Sequence, residues 1–178
     1  MKLMDEAPKM TYYARIRSNL TGKILTNWQP YDNAVWYYGI CNSLHGGESD
    51  YIVEFDIWNN EPGFNAGGYA YHNQNATGCQ LSIEPIDNSA DHLALFKLGF
   101  PYIFSRCYST NIRDPWISVT IDKPFTKLYG TVQSKVNGVL MGYADHMIIQ
   151  TKIIMPPNAL LENYKRYPFN LVFSYSYD

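Results

Sequence analysis

Phe169-Asn170-Leu171-Val172-Phe173-Ser174-Tyr175-Ser176-Tyr177 is the stretch on which the fold turns. Phe169, Leu171, Phe173, Tyr175 and Tyr177 fall on one side of a period-two pattern. Asn170, Ser174 and Ser176 fall on the other, and Val172 breaks the alternation. An extended chain sends successive side chains to opposite faces, so the pattern predicts a strand with one buried and one mainly polar face. Two other segments share it. In 78–84, Cys79, Leu81 and Ile83 alternate with Gln80, Ser82 and Glu84. In 145–154, Met147, Ile149 and Ile153 alternate with His146, Gln150 and Lys152. A helix would repeat its apolar positions every three or four residues instead.

Outward from these segments, short runs separated by Gly, Pro, Asn and Asp predict further strands. The set is 10–17, 22–27, 33–40, 50–58, 78–84, 92–97, 101–107, 115–121, 126–133, 138–142, 145–154 and 168–177. Asn137-Gly138 suits a tight hairpin turn because both residues tolerate positive φ, and Gly142 to Asp145 suits a second turn. One short helix is predicted from Asn158 to about Tyr167, after Pro156-Pro157, with Asn158 as its cap. The expected fold is all-β: an antiparallel β-sandwich of jelly-roll type with an N-terminal arm (1–11), one domain (12–178) and one short helix. The long segment 59–77, rich in Asn, Gly and Tyr, reads as a loop with a functional or contact role.

Composition narrows the function. The chain has 178 residues, 14 Lys and Arg against 16 Asp and Glu, and a net charge of −2. A single core fits this length. No basic excess exists to neutralise phosphates, so nucleic acid is not an expected partner. No apolar run is long enough to span a bilayer as a helix, so no membrane is expected either. The N-terminus lacks the apolar segment of a signal peptide. Three cysteines, Cys41, Cys79 and Cys107, include no close pair and read as reduced thiols. Two sequons, at Asn19 and Asn75, carry little without secretion.

The most suggestive cluster is Glu54-Phe55-Asp56-Ile57-Trp58-Asn59-Asn60. Glu54 and Asp56 project from one strand face about 6–7 Å apart, and Trp58 from the same face. Glu54-x-Asp56 resembles the start of the signature of jelly-roll glucanases of the laminarinase and lichenase type. That resemblance implies a nucleophilic Glu54, but the acid position is Asn59 or Trp58, and neither can supply the proton. Glu54-x-Asp56-x-Trp58-x-Asn60 is also similar to the metal loop of legume-type lectins. There the resemblance implies Glu54, Asp56 and Asn60 as metal ligands: Glu54 and Asp56 for a transition metal, and Asp56, the Trp58 carbonyl and Asn60 for calcium. The next two expected ligands are replaced by Asn65 and Ala70. A carbohydrate-binding alternative follows, with Trp58, Tyr69 and Tyr71 as stacking platforms and Asn60 and Asn65 as polar partners to a glycan. The plainest reading places Val53, Phe55 and Ile57 inward and Glu54 and Asp56 outward in water.

Other motifs give less. His45-Gly46-Gly47 lacks the Gly-x-Ser-x-Gly elbow of esterases and reads as a turn. Cys41 and His45 lack the further ligands of a zinc site. Asp145-His146 lacks a nucleophile, and Arg106, Arg113 and Asp114 read as rim charges. No catalytic residues and no resident cofactor are predicted, and the chain is not expected to be an enzyme.

Aromatic residues make up 16% of the chain. Tyr12-Tyr13 and Trp36-Tyr37-Tyr38 put rings on both faces of a strand, one more than a core needs. The leftover rings call for a second dry contact. That contact is a sugar, another subunit or a packed loop such as 59–77; with another copy of the chain as the preferred partner, Tyr12, Tyr13, Trp36, Tyr38, Tyr175 and Tyr177 are the expected interface residues. The leaderless start, mixed-charge arm, Tyr- and Asn-rich strands and odd thiols resemble virion proteins of tailed bacteriophages. That resemblance implies a non-enzymatic structural subunit of a ring, collar, tail or capsid surface. It would sit in a homo-oligomeric virion beside other virion structural proteins, after assembly in the host cytoplasm.

Overall fold

The computed structural model describes residues 11–30, 37–41, 45–58, 76–86, 89–108, 114–126, 146–159 and 168–177. The fold is all-β and antiparallel, with a single short helix among the described residues. In chain order the strands are β1 Thr11–Ser18, β2 Gln29–Pro30, β3 Gly47–Glu48, β4 Tyr51–Trp58, β5 Ala76–Pro85, β6 Ile103–Cys107, β7 Ile117–Val119, β8 His146–Met155 and β9 Phe169–Tyr177. The helix, α1, is Ala90–Lys97, between β5 and β6.

Seven strands form one sheet in the order β2-β1-β4-β8-β6-β7, with β3 also on β8. β5 and β9 form a second, two-stranded sheet. Side chains from both enter one core. Ala14, Val53, Phe55, Ile57, Ile103 and Ile149 come from the large sheet, and Leu81 and Ile83 from β5. Leu171 and Phe173 of β9 pack against it. Tyr12 meets Phe173 edge-on at 6.1 Å, and Tyr38 stacks with Phe169 at 6.2 Å. The alternation in β5, β8 and β9 thus describes the structure.

Ser49 bridges β3 and β4 where the β8 register slips between Glu48↔Ile154 and Val53↔Thr151. Its hydroxyl accepts the Ile153 N–H (3.1 Å) and donates to the Tyr51 carbonyl (2.9 Å), replacing the interrupted ladder. Gly46 holds φ +76° beside this point, and a Cβ there would lie 2.9 Å from the Met155 carbonyl oxygen. The Gly46-Gly47 turn is thus required for β3 to reach β8.

Some expectations are corrected. Residues 92–97 are not a strand but lie in α1. The helix ends at Gly99 (φ +91°), where Phe100 N–H bonds the Leu95 carbonyl and Gly99 N–H bonds the Phe96 carbonyl. This is the Schellman stop, and Phe96 and Phe100 pack edge-on across it at 5.7 Å. The predicted strand 22–27 shrinks to one bridge, Arg17↔Ile24, and the paired residues lie further on, in β2. Residues 37–40 are irregular. Asn158 sits at φ 59°, a left-handed turn and not the extended geometry of a helix cap. Thr11, placed in the arm, already pairs with Trp58. The arm's residues 1–10, the strands at 127–133 and 138–142, both 137–145 turns and the helix beyond 159 lie outside the described residues.

Ser105 has a testable oddity. It is fully buried on β6, and its hydroxyl has no hydrogen-bond partner among the described residues. An orphaned buried hydroxyl carries its desolvation cost without return. Ser105→Ala is therefore expected to leave stability unchanged or raise it by about 1 kcal/mol, read from urea unfolding midpoints.

Candidate functional site

The core face of the large sheet is mainly apolar, with Ser105 and Thr151 buried in it; the opposite face carries the charges. β1 contributes Tyr13, Arg15 and Arg17, and β4 contributes Ile52, Glu54, Asp56 and Trp58. β8 adds His146, Gln150 and Lys152, and β6 adds Arg106. Register aligns Arg15, Glu54, Gln150 and Arg106 in one row across four strands. The alternation that buries Val53 and Phe55 on one side places this row on the other.

Glu54 sits at the centre and is 0% exposed. Arg15 Nη2 donates to its Oε2 at 3.2 Å, and Arg17 Nε donates to its Oε1. The Arg15 guanidinium lies 4.1 Å from the Trp28 ring centroid. Arg17 also lies over Tyr108, at 5.5 Å. Further along the row, Arg106 Nε donates to Gln150 Oε1 at 2.8 Å. Arg106 and Lys152 both face Trp116, at 4.3 and 4.4 Å, and Lys152 Nζ bonds Glu48 Oε2 at 2.8 Å. The Lys152 ammonium, with Asn19 as a second donor, holds the Glu48 carboxyl below its usual range. Each partly desolvated cation over a ring contributes about 0.5–2 kcal/mol. These rings serve the chain's own charges.

Asp56 is 6% exposed, and its Oδ1 accepts from His146 Nδ1 at 2.6 Å. The imidazole lies flat on the Trp58 indole, 4.0 Å between centroids and 9° between planes. A buried carboxylate at one ring nitrogen and an indole beneath fix the imidazole in one orientation.

No family model, curated protein or solved structure matches the chain. The site must therefore be judged on its own geometry.

That geometry corrects the reading of an outward, hydrated carboxylate pair. Glu54 and Asp56 do lie opposite Val53 and Phe55, but both are buried and paired. Glu54, expected as nucleophile or metal ligand under the two resemblances, has each oxygen engaged by a guanidinium. The two arginines already neutralise the charge a cation would need. Among the described residues no group of three or more His, Cys, Asp and Glu gathers to hold a metal. Arg106, read as a rim charge, belongs to the central row. One indole face of Trp58 is taken by His146; its proposed companions Asn60, Asn65, Tyr69 and Tyr71 lie outside the described residues.

The interface set is also redistributed. Tyr38 is buried, and Tyr38 Oη and Thr151 Oγ1 lie 2.6 Å apart. Tyr12 and Tyr175 pack against the core. Within the protomer, Phe173 of β9 lies against Tyr12 and Phe169 against Tyr38. Tyr13 stands on the charged face opposite Asp56, and Tyr177 closes β9 opposite Ala76. Trp36 lies outside the described residues. Every described aromatic side chain except Tyr37 is at least half-covered.

Arg15, Arg17, Gln150, Lys152, Trp28 and Trp116 were not singled out from sequence. One signal was present: Tyr13-x-Arg15-x-Arg17 and Glu54-x-Asp56 alternate with opposite charge, as antiparallel neighbours do. None of the three cysteines is joined in a disulfide. Burial, then Asp50, pushes the Cys41 thiol up to about 11, so it stays protonated near neutral pH.

Proposed function

We propose that the protein is a non-enzymatic assembly subunit, built on a β-sandwich of jelly-roll type, that packs against copies of itself. By the resemblance noted above, the complex would be a tailed-phage virion part (ring, collar, tail or capsid-associated), with other virion proteins as neighbours. The observation that carries the reading is an apolar crest at one end of the large sheet. Leu20 is 94% exposed and Ile40 66%, with Ile24, Leu25 and Tyr37 also exposed. Backbone bonds hold the crest together. Asn19 N–H donates to the Asp50 carbonyl and Leu25 N–H to the Ile16 carbonyl, while Ile40 N–H bonds Asp50 Oδ2. Grouped exposed aliphatics of this kind mark contact surfaces.

Light scattering across a concentration series tests the proposal. An oligomer is expected, and Leu20→Asp with Ile40→Asp should shift it toward smaller species without unfolding it, since both sites are on the surface. A monomer at every concentration would sink the reading.

A further inference from the structure

We infer that the outer edge of β9 pairs antiparallel with β9 of a second copy, joining two β5–β9 sheets into one four-stranded sheet. This rests on the assembly reading and names an edge that links the copies.

The argument begins with backbone direction. Leu81 exchanges both of its backbone hydrogen bonds with Phe125, at 3.0 and 2.8 Å. Its N–H and C=O therefore point away from β9. Backbone groups alternate sides along a strand, so Gln80 and Ser82 point toward β9. They oppose Ser174 and Val172. The groups of Ser174 and Val172 are consequently used within the protomer, while those of Leu171 and Phe173 point outward. Among the described residues β9 has β5 as its one strand neighbour. Burial agrees. Leu81 and Ile83 on β5 are 4% and 2% exposed, whereas Leu171 and Phe173 opposite them are only half-buried.

The strand's own sequence lacks the charged and proline guards usual at an edge. From Phe169 to Tyr177 it has no charge, no proline and no glycine. Natural edges are blunted by Lys, Pro, bulges or brevity because an unguarded one recruits another strand. This edge also suits itself. A two-fold axis at Val172 sets Leu171 against Phe173 of the partner subunit, both with outward backbone groups, as a hydrogen-bonded pair. The same register sets Asn170 against Ser174 of the partner subunit. Apolar side chains then meet apolar ones on the core face, and polar meet polar on the other. No like charges oppose.

Cross-linking and charge pairing test the register. Val172→Cys brings its own copy opposite across the axis in a non-hydrogen-bonded pair, close enough for a disulfide. A covalent dimer should form on mild oxidation, and Val172→Ser should give none. Asn170→Lys with Ser174→Lys places like charges opposite each other twice, and should weaken association roughly tenfold. Asn170→Lys with Ser174→Asp places opposite charges there and should restore it. Both pairs lie on the polar row, and circular dichroism checks that each variant folds. Should the chain associate while the cross-link fails and both charge pairs leave association unchanged, the β9 contact is overturned and the assembly reading stands. A strict monomer overturns both.

Discussion

Replacing Glu54 with alanine is expected to lower folding stability by about 3–5 kcal/mol, the usual cost of removing one partner from a buried ion pair. Glu54 is fully buried between Arg15 and Arg17, whose side chains are 15% and 16% exposed. Without the carboxylate, two guanidinium groups on adjacent outward positions of β1 would repel one another in a poorly hydrated place. Among the described residues Arg15 Nε has no hydrogen-bond partner even with Glu54 in place. A companion variant separates this liability from any net benefit of the ions: Glu54→Leu, Arg15→Met and Arg17→Leu together. Apolar replacement of a whole buried ionic group is often neutral or stabilising, so the triple variant should recover most of the loss. Urea unfolding at neutral pH reads both. A loss under about 1 kcal/mol in Glu54→Ala would mean a hydrated, open face, since exposed ion pairs contribute no more than that.

The second large effect belongs to α1. Phe96 is 2% exposed, lies within the core and meets Phe100 edge-on. Phe96→Ala should destabilise by about 3–5 kcal/mol, from lost burial and the cavity left behind. Gly99→Ala makes a useful contrast. Its new Cβ would approach Tyr102 Cε1 at 3.8 Å, an ordinary contact, so only the φ of +91° opposes it. The expected cost is about 1–2 kcal/mol. Thermal or urea unfolding should rank the two in that order. Equal losses would mean that the helix stop, and not the core contact, dominates this segment.

The sequence reading was strongest where one face is apolar and the other polar. β5, β8 and β9 were legible from alternation because each has a single core-facing row. α1 was not, since Leu93-Ala94-Leu95-Phe96 is apolar at successive positions and period alone cannot tell a short buried helix from a strand. The signals that do separate them lay at its ends: Ser89 before it and Gly99 after it. The placement of Glu54 and Asp56 opposite the core was legible; their burial was not. Arg15 and Arg17 lie 39 and 37 residues before Glu54, and only strand pairing brings them together. His146, 90 residues beyond Asp56, is a still more distant partner. The contacts of the rings are hidden from the sequence for a related reason. Counting them cannot show that Trp116 meets two cations of its own chain, or that Phe173 of β9 lies against Tyr12.

The strand order has a kinetic consequence. β8 stands inside the large sheet between β4 and β6, yet it is among the later strands in the chain. β1 and β4 can pair early, but the carboxylates on β4 cannot be shielded on that side until residues 146–155 arrive. Chains dominated by such distant pairings fold in roughly milliseconds to seconds, because loop closure must precede the contacts that reward it. On the ribosome, the early strands would wait with a bare side while synthesis reached β8, a window in which a holdase would find its substrate.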